Sequence, residues 1–152
     1  MVRLSKFLSI SIPAILSYLM LYLQDQINLI FVGSLGDTHQ LAAVGLGNMV
    51  MMLLPYSIMI GVNTALETFV AQAFGSNNLK QCGLYLHRAI LLIVILYIPI
   101  TIVLFQTGHA LTAVGFDETV ADHADSYVKA AIFAVFMHAI ADSMILFMAG
   151  MG

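Results

Sequence analysis

Four apolar runs, each long enough to cross a lipid bilayer as a helix, set the first limit on what this chain can become. They fall at about 7–32, 41–72, 84–105 and 124–149, and a helix needs about 20 apolar residues to traverse the hydrocarbon core. Charge agrees with that reading. Only 9% of the 152 residues are charged and 61% are hydrophobic, whereas a soluble domain carries roughly 25% charged residues. Too little polar material is present to wet the surface of a water-soluble protein. The expected class is an all-α integral membrane bundle of four transmembrane helices, with the lipid bilayer as its first partner.

Arg3 and Lys6 before an apolar run imitate a signal peptide. The run continues well past the roughly 7–15 residues of a signal h-region and meets no A-x-A-like cleavage site, so it is read as a retained span. Gly33 to His39 closes the first span, and Gly75-Ser76-Asn77-Asn78 separates the second from the third. Gly75 suits a helix C-cap there, and the asparagines suit the next N-cap. Residues 106–123 hold Gly108, Gly115 and an acidic cluster and read as a connection. The second run would be about 48 Å long if wholly helical; Pro55 should kink it and its end should project beyond the bilayer. Pro13 and Pro99 also lie inside spans, where lipid-embedded bundles tolerate proline.

Lys and Arg orient the chain. Arg3, Lys6, Lys80 and Arg88 flank the N-terminus and the second connection, while the other connections carry Lys129 against Asp37, Asp117, Glu118, Asp122 and Asp125. The positive-inside rule then puts the N-terminus in the cytoplasm, and four crossings return the C-terminus there. No basic tract exists to bind nucleic acid. Cys82 is the single cysteine, which excludes an intrachain disulfide and a paired-cysteine metal site.

Polar groups inside spans each need a reason, because charge near the bilayer centre is costly. In the first span Tyr18, Tyr22, Asp25 and Asn28 share a helical face, beside Gln24. They could wall a polar cavity that binds a cation or proton, or hydrogen-bond neighbouring helices. The second span holds Asn48, Asn63, Thr64, Glu67 and Thr68, with positions 48, 52, 55, 59, 63 and 67 along one side. Asn63 is expected to face the interior, and Glu67 to sit at the interface. His138 and Asp142 are four residues apart on one face of the fourth span; a carboxylate can orient an imidazole for proton exchange, or the couple can simply join helices. Gly45, Gly47 and Gly61 allow close helix approach.

Three stretches resemble the multidrug and toxic compound extrusion (MATE) transporters. The first is Pro13 followed by Phe31-Val32-Gly33-Ser34-Leu35-Gly36 and Leu41-Ala42-Ala43-Val44. The second runs from Gly61 to Gly75 and includes Ala65-Leu66-Glu67-Thr68-Phe69, Gln72-Ala73-Phe74-Gly75, similar to a family signature with Phe69 in the usual leucine position. The third is Asn77-Asn78-Leu79-Lys80, Gly83 and His87-Arg88. The resemblance implies twelve helices in two lobes around a central cavity, rocking to exchange xenobiotic or cationic small molecules for protons or sodium. It implies no cofactor beyond that coupling ion and no enzymatic activity. Pro13, Gly33, Gly36, Gly61, Gln72, Gly75 and Arg88 would be structural positions of the motif. Many bacterial members place an aspartate where this chain has Asn28; here the carboxylate is Asp25, about one turn earlier on the same face. The chain would correspond to the first four helices of such a transporter, a fragment inactive without its missing helices. The alternative is a non-transporting four-span subunit that packs with partner helices. An intramembrane enzyme built on His138 and Asp142 lacks a nucleophile.

Overall fold

The computed structural model describes residues 4–34 and 36–151; the side chains of residues 4–10, 14, 17, 18, 21 and 25 lie outside the described residues. The elements are α1 (Leu4–Ser34), α2 (Thr38–Met51), a π-helical turn (Met52–Tyr56), α3 (Ser57–Gly75), α4 (Leu79–Leu104), α5 (Thr107–Val114) and α6 (Glu118–Gly150). The first compact unit comprises residues 1–41 and the second residues 42–152. In the first, Gly36 takes a φ of 77°, a left-handed turn that glycine adopts without strain. Gly33 faces Leu41, whose methyl carbons lie 3.7 and 3.8 Å from where a Cβ would stand.

Among the described residues three helical segments are long and apolar enough to cross a membrane: Thr38–Gly75, Leu79–Leu104 and Glu118–Gly150. The remaining expected run, 7–32, lies on α1, several of whose side chains are outside the described residues. Only 28%, 22% and 17% of the apolar windows of the three segments are buried within the chain. So much uncovered apolar surface on every helix requires lipid or further helices around it.

The second segment is continuous through Pro55 because the backbone rearranges there. Proline has no N–H for the ladder and its ring crowds the preceding turn. The widened π turn absorbs the ring, and the Ser57 hydroxyl donates to the Met52 carbonyl at 2.8 Å. The extra residue also resets the helical phase. Positions 43, 47, 51, 55, 59 and 63 form the buried row, whereas Met52 and Glu67 are exposed. The expected side is corrected at 52 and 67, while Asn48 still reaches α6 through Tyr127.

The turn after α3 differs from expectation in its key residue. Gly75 stays helical; Asn77 takes the left-handed conformation with φ 59°. Asn78 N–H donates to the Ala73 carbonyl and Asn77 N–H to that of Phe74, both at 2.9 Å, the paired bonds of a Schellman motif. Asn78 then caps α4 by accepting from Gln81 N–H. The stretch 106–123, read as a connection, contains α5 and the start of α6. Gly115, at φ 102°, closes α5. Asp117 caps α6 by accepting from Thr119 and Val120 N–H, and Glu118 follows in the first turn, where a helix N-terminus favours negative charge.

Short turns make the three long segments alternate in direction. Cys82 of α4 packs beside Val70 of α3, so those two run antiparallel. Phe105, which caps the end of α4, lies under the Lys129 ammonium, while Tyr97 reaches Ile132 and Phe136 farther along α6. The α2–α3 segment and α6 are therefore parallel, with contacts that climb together: Asn48 with Tyr127, Tyr56 with His138, Asn63 with Ser143, and Val70 with Gly150. The main apolar core includes Met51, Met59, Ile93, Tyr97, Leu104, Val128 and Ala139.

Candidate functional site

The parallel seam between α2–α3 and α6 gathers polar side chains at successive levels. At the first level Gly47 leaves room for the Tyr127 ring; a Cβ there would come within 2.5 Å of Tyr127 Cδ1. The phenol crosses that gap and donates to Asn48 Oδ1 at 2.7 Å. At the second level His138 Nδ1 and Asp142 Oδ2 lie 3.0 Å apart, and the Tyr56 ring meets the imidazole edge-on at 6.1 Å and 88°. At the third level Asn63 and Ser143 are both buried, with Ser143 Oγ 2.7 Å from Asn63 Oδ1 and 2.9 Å from the Ala139 carbonyl. One hydroxyl has one proton, so both contacts hold together when Ser143 donates to Ala139 and the Asn63 amide turns its NH2 toward Ser143.

Burial separates these levels. Asn63 is 4% exposed and fully enclosed by α3 and α6 packing, a structural cross-link. The side chains of His138 and Asp142 are 49% and 37% exposed. An acid near the middle of a span costs about 2.5–3.5 kcal/mol on insertion scales, so this pair occupies a place that packing alone does not require.

The other expected residues fall as follows. Gln24 and Asn28 stand one turn apart on α1; the side chains of Asp25 and Tyr18 lie outside the described residues. Glu67 is exposed two turns before the end of α3. Of the motif positions, Gln72 and Arg88 are exposed, and a Cβ at Gly45, Gly61 or Gly75 would meet nothing within 4 Å. Along this seam the glycines that allow close approach are Gly47 and the unanticipated Gly150, whose Cβ would stand 3.0 Å from Val70 Cγ1; Gly108 does the same for α5 against Asp125 of α6. Tyr56, Tyr127 and Ser143 are further additions to the seam. Tyr127 was findable, since 127, 131, 134, 138 and 142 follow one helical face.

Asp125 belongs elsewhere. It accepts from Gly108 N–H at 3.1 Å and pairs with Lys129, pinning α5 to α6. A cavity of 410 Å³ between α4 and α6 is lined by Tyr97, Ile98, Thr101, Phe133 and Phe136 and is almost wholly apolar. It lies away from the polar seam and offers no charged group to a ligand. Among the described residues no three of His, Cys, Asp and Glu converge as metal ligands.

Comparison with known proteins fits this architecture. The MatE family model matches residues 13–152. The chain is 36% identical over 136 residues to multidrug and toxin extrusion protein 1 of Danio rerio, covering 88% of this chain and 23% of the relative. It is 33% identical over 139 residues to protein DETOXIFICATION 38 of Arabidopsis thaliana, covering 91% and 27%. An uncharacterized transporter of Schizosaccharomyces pombe is 32% identical over 133 residues, with coverage of 87% and 25%. The chain thus spans about a quarter of the length of the curated relatives it matches. No solved structure matches it. With its apolar helices and a family match over nearly its whole length, this chain is an integral membrane protein of the MatE family of transporters.

Proposed function

We propose that the chain supplies the first four spans of an exporter of organic or cationic small molecules, coupled to entry of protons or sodium. The observation that carries this reading is the polar seam at membrane depth in a chain whose relatives are named for multidrug and toxin extrusion. α1 would contribute the remaining crossing, with Gln24, Asp25 and Asn28 as its candidate cation-binding residues. In this reading the Lys80 and Arg88 end faces the cytoplasm, and the acid-rich start of α6 faces the opposite side. The spans would form part of a first lobe in a twelve-helix, two-lobe architecture. They would act with helices of the kind that fill out the longer relatives, and would not transport by themselves.

A chimera tests this directly. This chain would replace the aligned segment of the Danio rerio relative, and uptake of a fluorescent organic cation would be followed in vesicles under imposed pH or sodium gradients. The expected result is gradient-driven transport by the chimera and none by the 152-residue chain alone. A chimera that inserts at normal levels and moves no cation under either gradient would favour the non-transporting subunit instead.

A further inference from the structure

His138 and Asp142 are the only ionisable side chains between Lys129 and Gly152. Residues 130–150 form an apolar helical stretch of about 31 Å, close to the thickness of the hydrocarbon core. Its midpoint is Ile140, between the two. The pair is therefore set at midspan, joined at 3.0 Å, and not fully covered by the described residues of the chain. Ala134, one turn before His138 on the same face, is exposed and too small to cover it.

We propose that His138 and Asp142 bind one proton from water as a unit at midspan, with the Tyr56 ring fixing the imidazole. This deepens the export reading and rests on it only for the use to which the proton is put. A carboxylate has no proton to give, so in the resting pair Nδ1–H donates to Asp142 Oδ2 and Nε2 keeps its lone pair. The incoming proton leaves a water-borne donor, bonds to Nε2 and converts the imidazole to imidazolium. The pair passes from one net negative charge to none, and release reverses the step. Proton uptake thus removes net charge where lipid penalises it most, and histidine is the side chain whose charge ordinarily changes between about pH 5 and 8.

Among the described residues of α2–α4, the neighbouring groups do not compete for that proton. Tyr56 faces the pair from the π turn, and Tyr97 of α4 is engaged with the Ile132 carbonyl at 2.6 Å. Phenols hold their protons near neutral pH. Glu67, His87 and Arg88 stand nearer the α3–α4 turn, on exposed positions.

The test is nitrogen-15 NMR of the full chain, labelled at histidine, in phosphatidylcholine nanodiscs between pH 8 and 5. His138→Gln identifies the signal. The expected result is a reversible change of the His138 ring between neutral and charged forms. Asp142→Asn should displace its midpoint by at least about tenfold in proton concentration. Asp142→Glu retains the carboxylate and should keep the His138 midpoint within roughly threefold of the original, which guards against a variant that misfolds. A ring held in one state across the range, or an unchanged curve in Asp142→Asn, would overturn the proposal. The readout does not depend on export. A titrating pair with a silent chimera would sink the export reading alone, and an exporting chimera with a fixed His138 would sink this one alone.

Discussion

The two sides of α6 are built from different chemistry. Toward α4 it presents Val128, Ile132 and Phe136, which pack with Tyr97, Ile100 and Leu104, and a single phenol-to-carbonyl hydrogen bond crosses the interface. Toward α2–α3 it presents Tyr127, His138 and Ser143, each meeting a polar or aromatic partner. Lipid tails are as apolar as leucine, so helices in a bilayer gain little from hiding apolar surface and depend on close packing and interhelical hydrogen bonds. The α4 side relies almost wholly on the first of these, whereas the α2–α3 side combines it, at Gly47 and Gly150, with the second. Mutations on the α4 side should therefore act on stability alone, and those on the α2–α3 side on stability and on the polar groups together.

The largest effect should come from the α4 side. Leu104 is completely buried, and Leu104→Ala should cost about 2–5 kcal/mol in reversible unfolding from mixed micelles. A much smaller cost would mean that this interface is not the firm one. Next is Gly47→Ala, which drives a methyl into the Tyr127 ring and should cost about 1–3 kcal/mol. Adding Tyr127→Ala should recover part of that loss, a coupling that a double-mutant cycle measures directly. Asn63→Leu removes the buried partner of Ser143 and should cost about 0.6–1.7 kcal/mol, the range for interhelical hydrogen bonds in bilayers. At the small end, Gly61→Ala should change stability by no more than about 0.5 kcal/mol, because its Cβ would meet nothing in the chain. A large loss there in the chimera, with none in the chain alone, would locate an outside helix against Gly61.

Much of this was legible in the sequence, for physical reasons that apply residue by residue. Apolar runs of bilayer length announced the three described crossings, and the four-residue spacing of His138 and Asp142 announced their contact. Asn63, an amide within a long apolar span, announced an interior position. Phase and register were harder. The extra residue of the π turn at Pro55 rotated the buried row away from Met52, and no count at regular helical spacing anticipates that. Gly45, Gly47 and Gly61 all looked like packing positions, yet of the three only Gly47 is crowded, and Gly150 joins it, because only the facing helix decides which glycine is crowded. The start of α6 was hidden by its acidity. Asp117 and Glu118 read as a polar connection, although carboxylates are also what a helix N-terminus favours.

The parallel run of α3 and α6 is what brings Tyr56 to His138 and Asn63 to Ser143. Oxidative cross-linking of paired cysteines in a Cys82→Ser chain, reconstituted in bilayers, tests it directly. Asn63→Cys with Ser143→Cys should link efficiently, and so should Asn48→Cys with Tyr127→Cys. Efficient linking of 63 with 127 and of 48 with 143, in place of those pairs, would mean that the two helices run antiparallel and would contradict the seam described above.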